Sequence, residues 1–432
     1  MNQIICLSTE PWSRLPGRTQ QLVSRIRDTQ ILYFSPGRRW REIPLQQKGI
    51  QVRPNVTAYF LPAPLLPLEE RHGALFRAQQ RRMGEFIAAK AARHRFQAPL
   101  LWTTSPEQVH MLDYLSYDAL VYDCDREWDE LPLHWEGRLA QAADVVFVAS
   151  SQLADRLSPC SGNIVLLPNG INLPLFVPQH NRPDPLPQVR GPLIGWAAPT
   201  FGWAGTIHPD LDLSPVLHAA HAHPEWNFLL LGRREKGNPL LPRFKKLPNV
   251  IIPGARPMNE VPNWLYRCDV LVDLLRMDRP YDDVVSPRLY EYLATGKPVV
   301  SMLWPDQVEQ FPDVVYSAYN KEEFITLCSH ALDEVPGFVS RRRQGHAGMG
   351  VDHIAGVFVQ LPDRRRVLFL VGEAAAEVRH KVSHLLGNLI PSLFLQLSHQ
   401  PGRRFGVTAA AGVNQPFQVA GNQNVHGWRS GQ

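Results

Sequence analysis

The chain of 432 residues is long enough for two or three domains, and its 44% hydrophobic and 20% charged content is ordinary for a globular protein. A net charge of +5 and a pI of about 9.0 suit an anionic ligand or a membrane surface, and the absence of a basic stripe with interleaved aromatics argues against nucleic acid. The five cysteines (Cys6, Cys124, Cys160, Cys268, Cys328) form no CxxC pair and no Cys/His cluster, so no zinc site is expected, and the odd count with wide spacing suits a reducing compartment.

In chain order, "MNQIICLSTEPW" lacks a basic n-region and reads as a first strand rather than a signal peptide. No apolar run approaches the roughly 20 residues needed to span a bilayer. The expected location is cytoplasmic, with peripheral contact at the cytoplasmic face of the membrane left open. "RTQQLVSRI" reads as a helix. "ILYFSP", "PLLWTTS", "ALVYDCD", "DVVFVAS" and "NIVLLPNG" read as strands with helical segments between several of them, such as "LAQAAD". Alternation of this kind predicts a parallel sheet covered on both faces. The prolines and polar residues of Val177–Pro192 read as a linker. The alternation then restarts with "LIGWAA", a helix through "DLSPVLHAAHAH", "NFLLLG", "NVIIPG", "DVLVDLL", a short helix from Ser286, and "PVVSML". The expected fold is α/β: two doubly wound, Rossmann-like domains (1–178 and 192–343) facing a cleft, joined by a linker at 179–191. Ligands of such sheets bind at the carboxyl ends of the strands.

The passage that carries the functional reading is "SPRLYEYLATGKPVV", Ser286–Val300. Ser286 is a good N-cap, Pro287 suits the first helical position, Gly296 supplies the C′ stop and Pro298 prevents continuation. So short a helix must pack to be stable. At 100° per residue, Leu289, Tyr292 and Leu293 share one face, and Glu291 falls nearly opposite, beside Arg288. Two readings stand: an exposed Arg–Glu pair worth a few tenths of a kcal/mol, or a carboxylate aimed into a cleft at a sugar hydroxyl.

Three passages resemble the GT-B-fold glycosyltransferases of the family 4-like, group 1 type: "ADVVFVASSQLADRL…NIVLLPNGINLPLF", "LPNVIIPGARPMNEVPNWLYRCDVLVDLL" and, most specifically, "SPRLYEYLATGKPVV". The likeness spans about residues 1 to 335, and "WSRLPGRTQQL" is similar to the family's first loop and helix. The resemblance implies a nucleotide sugar held mainly on the second domain, with Glu291 on the ribose hydroxyls. It puts Ser286, Arg288 and Leu289 at the helix N-terminus facing the diphosphate, a natural anion site. Asp283 stands eight residues before Glu291, where the family has a further glutamate. With Asp282 it reads equally as a donor-sugar contact or a solvated turn.

Further candidates are less specific. The loop "PTFGWAG", with Gly202, would follow the first strand of the second domain and let backbone N–H groups approach a phosphate. The family's Arg/Lys pair is absent there, and Arg233, Arg234 and Lys236 of "LGRREKG" are candidates for that role or for a solvated loop. Pro253 and Gly254 fall where the backbone would meet the base, or simply close a strand. On the acceptor side, Asp123 and Asp125 of "VYDCDREWDE" could orient or deprotonate an acceptor hydroxyl or cap the following helix. Trp12 and Arg18 sit in the first loop, where the acceptor would pass. Neither Asp-x-Asp spacing is well placed for a metal, and Asp210 and Asp212 read as helix caps, so no metal or other cofactor is expected.

The reading is a hexosyltransferase-like enzyme that moves a sugar from a nucleotide-sugar donor to a sugar, glycolipid or polysaccharide acceptor in cell-surface synthesis, and the resemblance implies transfer with retention. The catalytic candidates are Asp125 and Asp283. A GT-B-fold epimerase and a non-catalytic nucleotide-sugar-binding partner are the rivals. Beyond Arg343 the alternation fades. "RRRVLFLVGE" could be a strand and "AAAEVRHKVSHLLGNLI" a helix, but from Gly402 the Gly, Asn and Gln content is that of a disordered tail. A reading-frame change or a lineage-specific extension would each explain this, and residues 344–432 are expected to be irregular. Limited proteolysis checks it: early cleavage beyond residue 345 should leave a core that still binds nucleotide, whereas a resistant C-terminus contradicts the expectation.

Overall fold

The computed structural model describes residues 2–13, 16–26, 28–37, 48–62, 73–176, 198–274, 284–302 and 314–334, and the backbone of four strands farther on. The first sheet has the order β3-β4-β2-β1-β5-β6-β7-β8. Its strands are β1 (Asn2–Leu7), β2 (Thr29–Ser35), β3 (Ile50–Arg53), β4 (Val56–Phe60), β5 (Leu100–Thr103), β6 (Ala119–Cys124), β7 (Val145–Val148) and β8 (Ile164–Leu166). All neighbours are parallel except β3, which returns antiparallel along β4 after the turn at Pro54–Asn55. That hairpin edge was not expected from the parallel alternation.

Alternate residues of each strand serve opposite faces, as the two-residue period requires. Ile4, Cys6 and Val121 join a core with Leu22 and Val23 of α1 (Arg18–Val23). Ile5, Leu7, Leu120 and Tyr122 join another core under α2 (Gly73–Arg93), α3 (Leu133–Ala142) and α4 (Ser151–Leu157). By this parity Asp123 lies on the α1 face of β6.

The second sheet is wholly parallel, β11-β10-β9-β12-β13-β14. Its strands are β9 (Thr200–Ala204), β10 (Asn227–Leu231), β11 (Val250–Gly254), β12 (Val270–Asp273), β13 (Val299–Ser301) and β14 (Tyr316–Ser317). It starts in its middle at β9, grows outward through β10 and β11, then crosses to β12 on the other side. The switch point, where ligands of such sheets enter, is therefore between β9 and β12. One face carries α6 (Ser214–Ala222) and α9 (Lys321–Leu332), and the other α7 (Val261–Leu265) and α8 (Pro287–Thr295). Asp212 accepts from the Ser214 N–H at 2.8 Å, but the N-cap of α6 is Leu213, and Asp210 lies 3.1 Å from His208 Nδ1, so neither aspartate is the expected helix cap.

Two expectations change. The first strand of the second sheet is Thr200–Ala204, so "TFGWA" is strand rather than loop, and most of "LIGWAA" lies outside the described residues. The first domain ends before residue 178. Ile171 and Phe176, at the start and end of the segment carrying α5 (Leu173–Phe176), are buried in the core of the second sheet, and Tyr266 Oη donates to the Phe176 carbonyl. The linker at 179–191 lies outside the described residues. In the expected irregular tail, β15 (Ala355–Gln360) pairs antiparallel with β16 (Arg366–Val371), and β17 (Phe394–Ser398) with β18 (Arg404–Thr408). β16 is the strand expected in "RRRVLFLVGE". The helix expected at 374–390 lies outside the described residues.

Gly202 shows why small residues matter here. A Cβ on it would sit 2.3 Å from Cys268 Sγ and 3.3 Å from Leu271 Cδ2. Gly202→Ala should cost about 1–3 kcal/mol through overpacking, read as a lowered Tm. Cys268→Ala in the same chain should recover part of the loss; strict additivity of the two changes would contradict this packing account.

Candidate functional site

The strands of the second sheet end in a row of glycines. Gly205 follows β9, Gly232 follows β10, and Gly254 closes β11. Gly205 N–H donates to the Leu231 carbonyl at 2.9 Å, and Gly232 N–H to the Gly254 carbonyl at 3.2 Å. Gly232 has φ +148°, and a Cβ there would lie 1.6 Å from the Gly205 oxygen, so no other residue fits. Gly254 has φ +85° with open space around its Cβ direction. The carboxyl edge of three adjacent strands is thus bare main chain.

The N-terminus of α8 stands over this edge. Ser286 caps it, its Oγ accepting from Leu289 N–H at 3.4 Å, and Gly296 ends it at φ +77°, as the residue types require. Leu289, Tyr292 and Leu293 are fully buried, and burying three such side chains is worth roughly 1.5–3 kcal/mol each. The Ala204 N–H donates to Tyr292 Oη at 2.7 Å, pinning the helix to the end of β9. Leu289, expected among the donor contacts, belongs instead to the core and the cap: its side chain has no exposure and its N–H is taken by Ser286.

Arg288 does not pair with Glu291 in an exposed helix bridge. Its Nε donates to Oδ1 of Asp273 at 2.6 Å, and its guanidinium lies 5.1 Å from the Trp203 ring centroid. A Cβ on Gly205 would be 2.8 Å from Arg288 Nη1, so the far end of the fork lies over the glycine edge. Asp273 is wholly buried at the C-terminus of β12, and its Oδ2 has no hydrogen-bond partner among the described residues. With Nε on Asp273, the guanidinium has its Nη1 beside Gly205 at the strand edge, and the Nη groups of an arginine so held suit a phosphate.

Glu291 is half-buried and has no hydrogen bond or ion pair among the described residues. Burial pushes its carboxyl up to about 8, with the Arg288 charge only partly opposing that. A carboxylate so placed lacks the partner that would compensate its desolvation.

On the first sheet, Arg18 is not a free acceptor contact. It opens α1, and its buried guanidinium clasps Asp123 (Nη2–Oδ1 2.9 Å, Nε–Oδ1 3.1 Å). The α1 face of β6 is apolar, so a carboxylate on it needs a cation. Asp125, just past β6, is half-buried; burial and the Asp123 charge push its carboxyl up to about 6. Trp12 packs edge-on to Tyr33 at 5.1 Å and lines a groove of about 960 Å³. Gln21, Arg25 and Arg53 line it from the first sheet's side, and Asn172, Met258 and Asn259 from the second's. No carboxylate is among the groove's lining residues.

The remaining candidates fare differently. Gly202 lies inside β9 against Cys268, so it is a packing glycine; the glycine that clears the edge is Gly205. Arg233 is mostly exposed and bridges Glu235 at 2.5 Å, which makes it a solvated loop contact. Arg234 and Lys236 are exposed in the same loop. Asp282 and Asp283 lie outside the described residues. Among those residues no group of three or more His, Cys, Asp or Glu could hold a metal ion. Asp273, Gly205 and Gly232 were missed. A signal existed: "FGWAG", "NFLLLG" and "NVIIPG" each run a strand into glycine, and "VLVD" ends an apolar strand on a charge.

The match to known folds decides the architecture. The structure superposes on sucrose-phosphate synthase (tll1590) of Thermosynechococcus elongatus with a TM-score of 0.64 at 16% identity, covering 90% of this chain and 100% of that one. The chain has the GT-B fold. Anabaena Alr3699/HepE in complex with UDP and glucose gives a TM-score of 0.57 at 14% identity over 90% of this chain and 100% of HepE. An E. coli protein described as trehalose-6-phosphate bound with UDP-2-fluoro glucose gives 0.59 at 11% identity, over 81% and 94%. In sequence the chain is similar to a protein named as a teichuronic acid biosynthesis glycosyltransferase, TuaH, of Bacillus subtilis (strain 168), 28% identical over 259 residues. That match covers 54% of this chain and 64% of TuaH, so it spans just under two thirds of the relative's length. No family model matches.

The Glu291 carboxyl yields a signed prediction. Its folded value, about 8, lies above the ordinary 4.5. Its contribution to stability is therefore full below pH 4.5 and is lost as pH rises through 8. Glu291→Gln should match the parent Tm near pH 4.5 and exceed it above pH 8. Equal pH profiles for the two chains would show that Glu291 is not desolvated.

Proposed function

We propose that this chain is a glycosyltransferase that moves a sugar from a nucleotide-sugar donor to an acceptor hydroxyl. The observation that carries the reading is Glu291, a half-buried carboxyl group without a hydrogen-bond or ion-pair partner among the described residues, on the helix over a glycine-lined strand edge. A carboxylate there accepts hydrogen bonds from vicinal ribose hydroxyls. The glycine edge, with no side chains in the way, lets a diphosphate approach the strand ends closely, and Arg288 supplies the cation. Helix dipole and arginine together neutralise the leaving group without a metal. Asp125, its carboxyl pushed up to about 6, is suited to accept the acceptor's proton near neutral pH. Asp283 stays a candidate contact to the donor sugar.

Uridine diphosphate is the first nucleotide to test, because the names of two of the structures described above carry UDP. The name of the B. subtilis relative supports a cell-surface polysaccharide as product, and the groove beside Trp12 suits a saccharide acceptor. We further propose transfer with retention, a cytoplasmic location and peripheral contact with the membrane. No helix among the described residues is long and apolar enough to cross one.

Calorimetry with UDP, followed by UDP-sugars, tests the reading. Measured above pH 8, where its carboxyl is ionised, Glu291→Ala should weaken UDP binding by about 1.5–3 kcal/mol through loss of charge-assisted bonds, while its circular dichroism stays that of the parent chain. Free UDP should be released from the donor only when acceptor is added, and a chelator should leave that release intact. A sugar altered without acceptor would indicate an epimerase, and binding without turnover a partner protein.

A further inference from the structure

The second strand end of interest belongs to "LLPNG", the loop that leaves β8. Asn169 is 8% exposed and uses both ends of its carboxamide. Its Oδ1 accepts from Arg18 Nη1 at 3.3 Å, and its Nδ2 donates to the Val285 carbonyl at 2.9 Å. Arg18 in turn holds Asp123 and donates from Nη2 to the Leu167 carbonyl at 2.7 Å. Val285 immediately precedes Ser286, the cap of α8. Val284, one residue earlier, packs against the core of the first sheet, whereas Val285 is buried in that of the second. The Arg18 charge also reaches Tyr290 on α8. A continuous polar chain therefore runs from the end of β6, through Arg18 and Asn169, to the lead-in of α8.

We propose that Asn169 is a positioning residue: it latches the lead-in of α8 to the Arg18–Asp123 pair and so sets the donor helix in register with Asp125 on the first sheet. The inference rests on the reading of α8 as the donor helix. The residue type fits the task. A carboxamide accepts from a guanidinium through its oxygen while donating to a carbonyl through its nitrogen. Asp keeps the first contact and turns the second into a repulsion between lone pairs. Ala loses both. Because the chain is buried at every link, water does not substitute for a missing member without cost.

The test compares Asn169→Ala and Asn169→Asp with the parent chain by two measurements: amide hydrogen exchange of residues 284–289, and UDP affinity by calorimetry. Both variants should exchange faster at 284–289, with α9 unchanged, and bind UDP roughly five- to tenfold more weakly, the loss of about one buried hydrogen bond. Asn169→Asp separates the roles: a residue that merely supports Arg18 would be rescued by Asp, whereas a latch would not. Parent-like exchange and affinity in Asn169→Asp overturn the proposal. So does faster exchange with unchanged UDP affinity, provided that Glu291→Gln weakens binding. If the parent chain does not bind UDP, or Glu291→Gln leaves binding unchanged, the donor reading fails instead. Exchange at 284–289 then decides the latch alone, faster in both variants supporting it and unchanged rates overturning it.

Discussion

Each sheet buries an aspartate at the end of an apolar strand, and a buried carboxylate must be given a cation. Asp123 closes "LVYD" on β6 and takes Arg18 from the first residue of α1; Asp273 closes "VLVD" on β12 and takes Arg288 from the second residue of α8. In both cases the arginine comes from a helix start on the same face of the sheet. Neither pair is a source of much net stability, since desolvation consumes most of the attraction. What each does is fix where a helix begins relative to a strand end. Losing one partner would leave a buried charge, at roughly 3–5 kcal/mol, so the two helix starts cannot drift. The groups proposed to act on a donor and an acceptor sit on or next to these two anchors.

Much of this was legible in the sequence because it is local. The Ser-Pro start and Gly stop of α8, its apolar face, and most strands obey short-range rules that neighbouring residues settle. The side of the helix that Glu291 occupies followed from the same rotation. What it faces did not, because the competing partner of Arg288 was Asp273, fifteen residues away and outside any helical spacing. The first strand of the second sheet was misplaced for a related reason. "LIGWAA" and "TFGWA" are equally apolar, and it is the parallel pairing of Thr200–Ala204 with β10 and β12 that identifies the latter as strand. Arg18 was placed in the first loop, where the acceptor would pass; its burial against Asp123 is created by β6, more than a hundred residues on.

The structural likenesses show how little of the fold depends on identity. At 11–16% identity the superpositions still cover 81–90% of the chain. What such chains must share is a pattern: alternating strands buried on both faces, helix starts aimed at strand ends, and a switch point left unfilled. The identity to TuaH is higher but confined to about half of the chain.

The glycine edge has one more consequence. Gly205, Gly232 and Gly254 contribute to the site by what they lack, so what is offered there is main chain, which no side-chain exchange removes. Mutational tolerance is therefore inverted. Alanine, the usual neutral truncation, is at Gly232 an insertion of a methyl group 1.6 Å from an oxygen. A scan that seeks important residues by deleting side chains would read this edge as a set of unrelated folding defects, and its sensitivity would track added volume rather than lost chemistry.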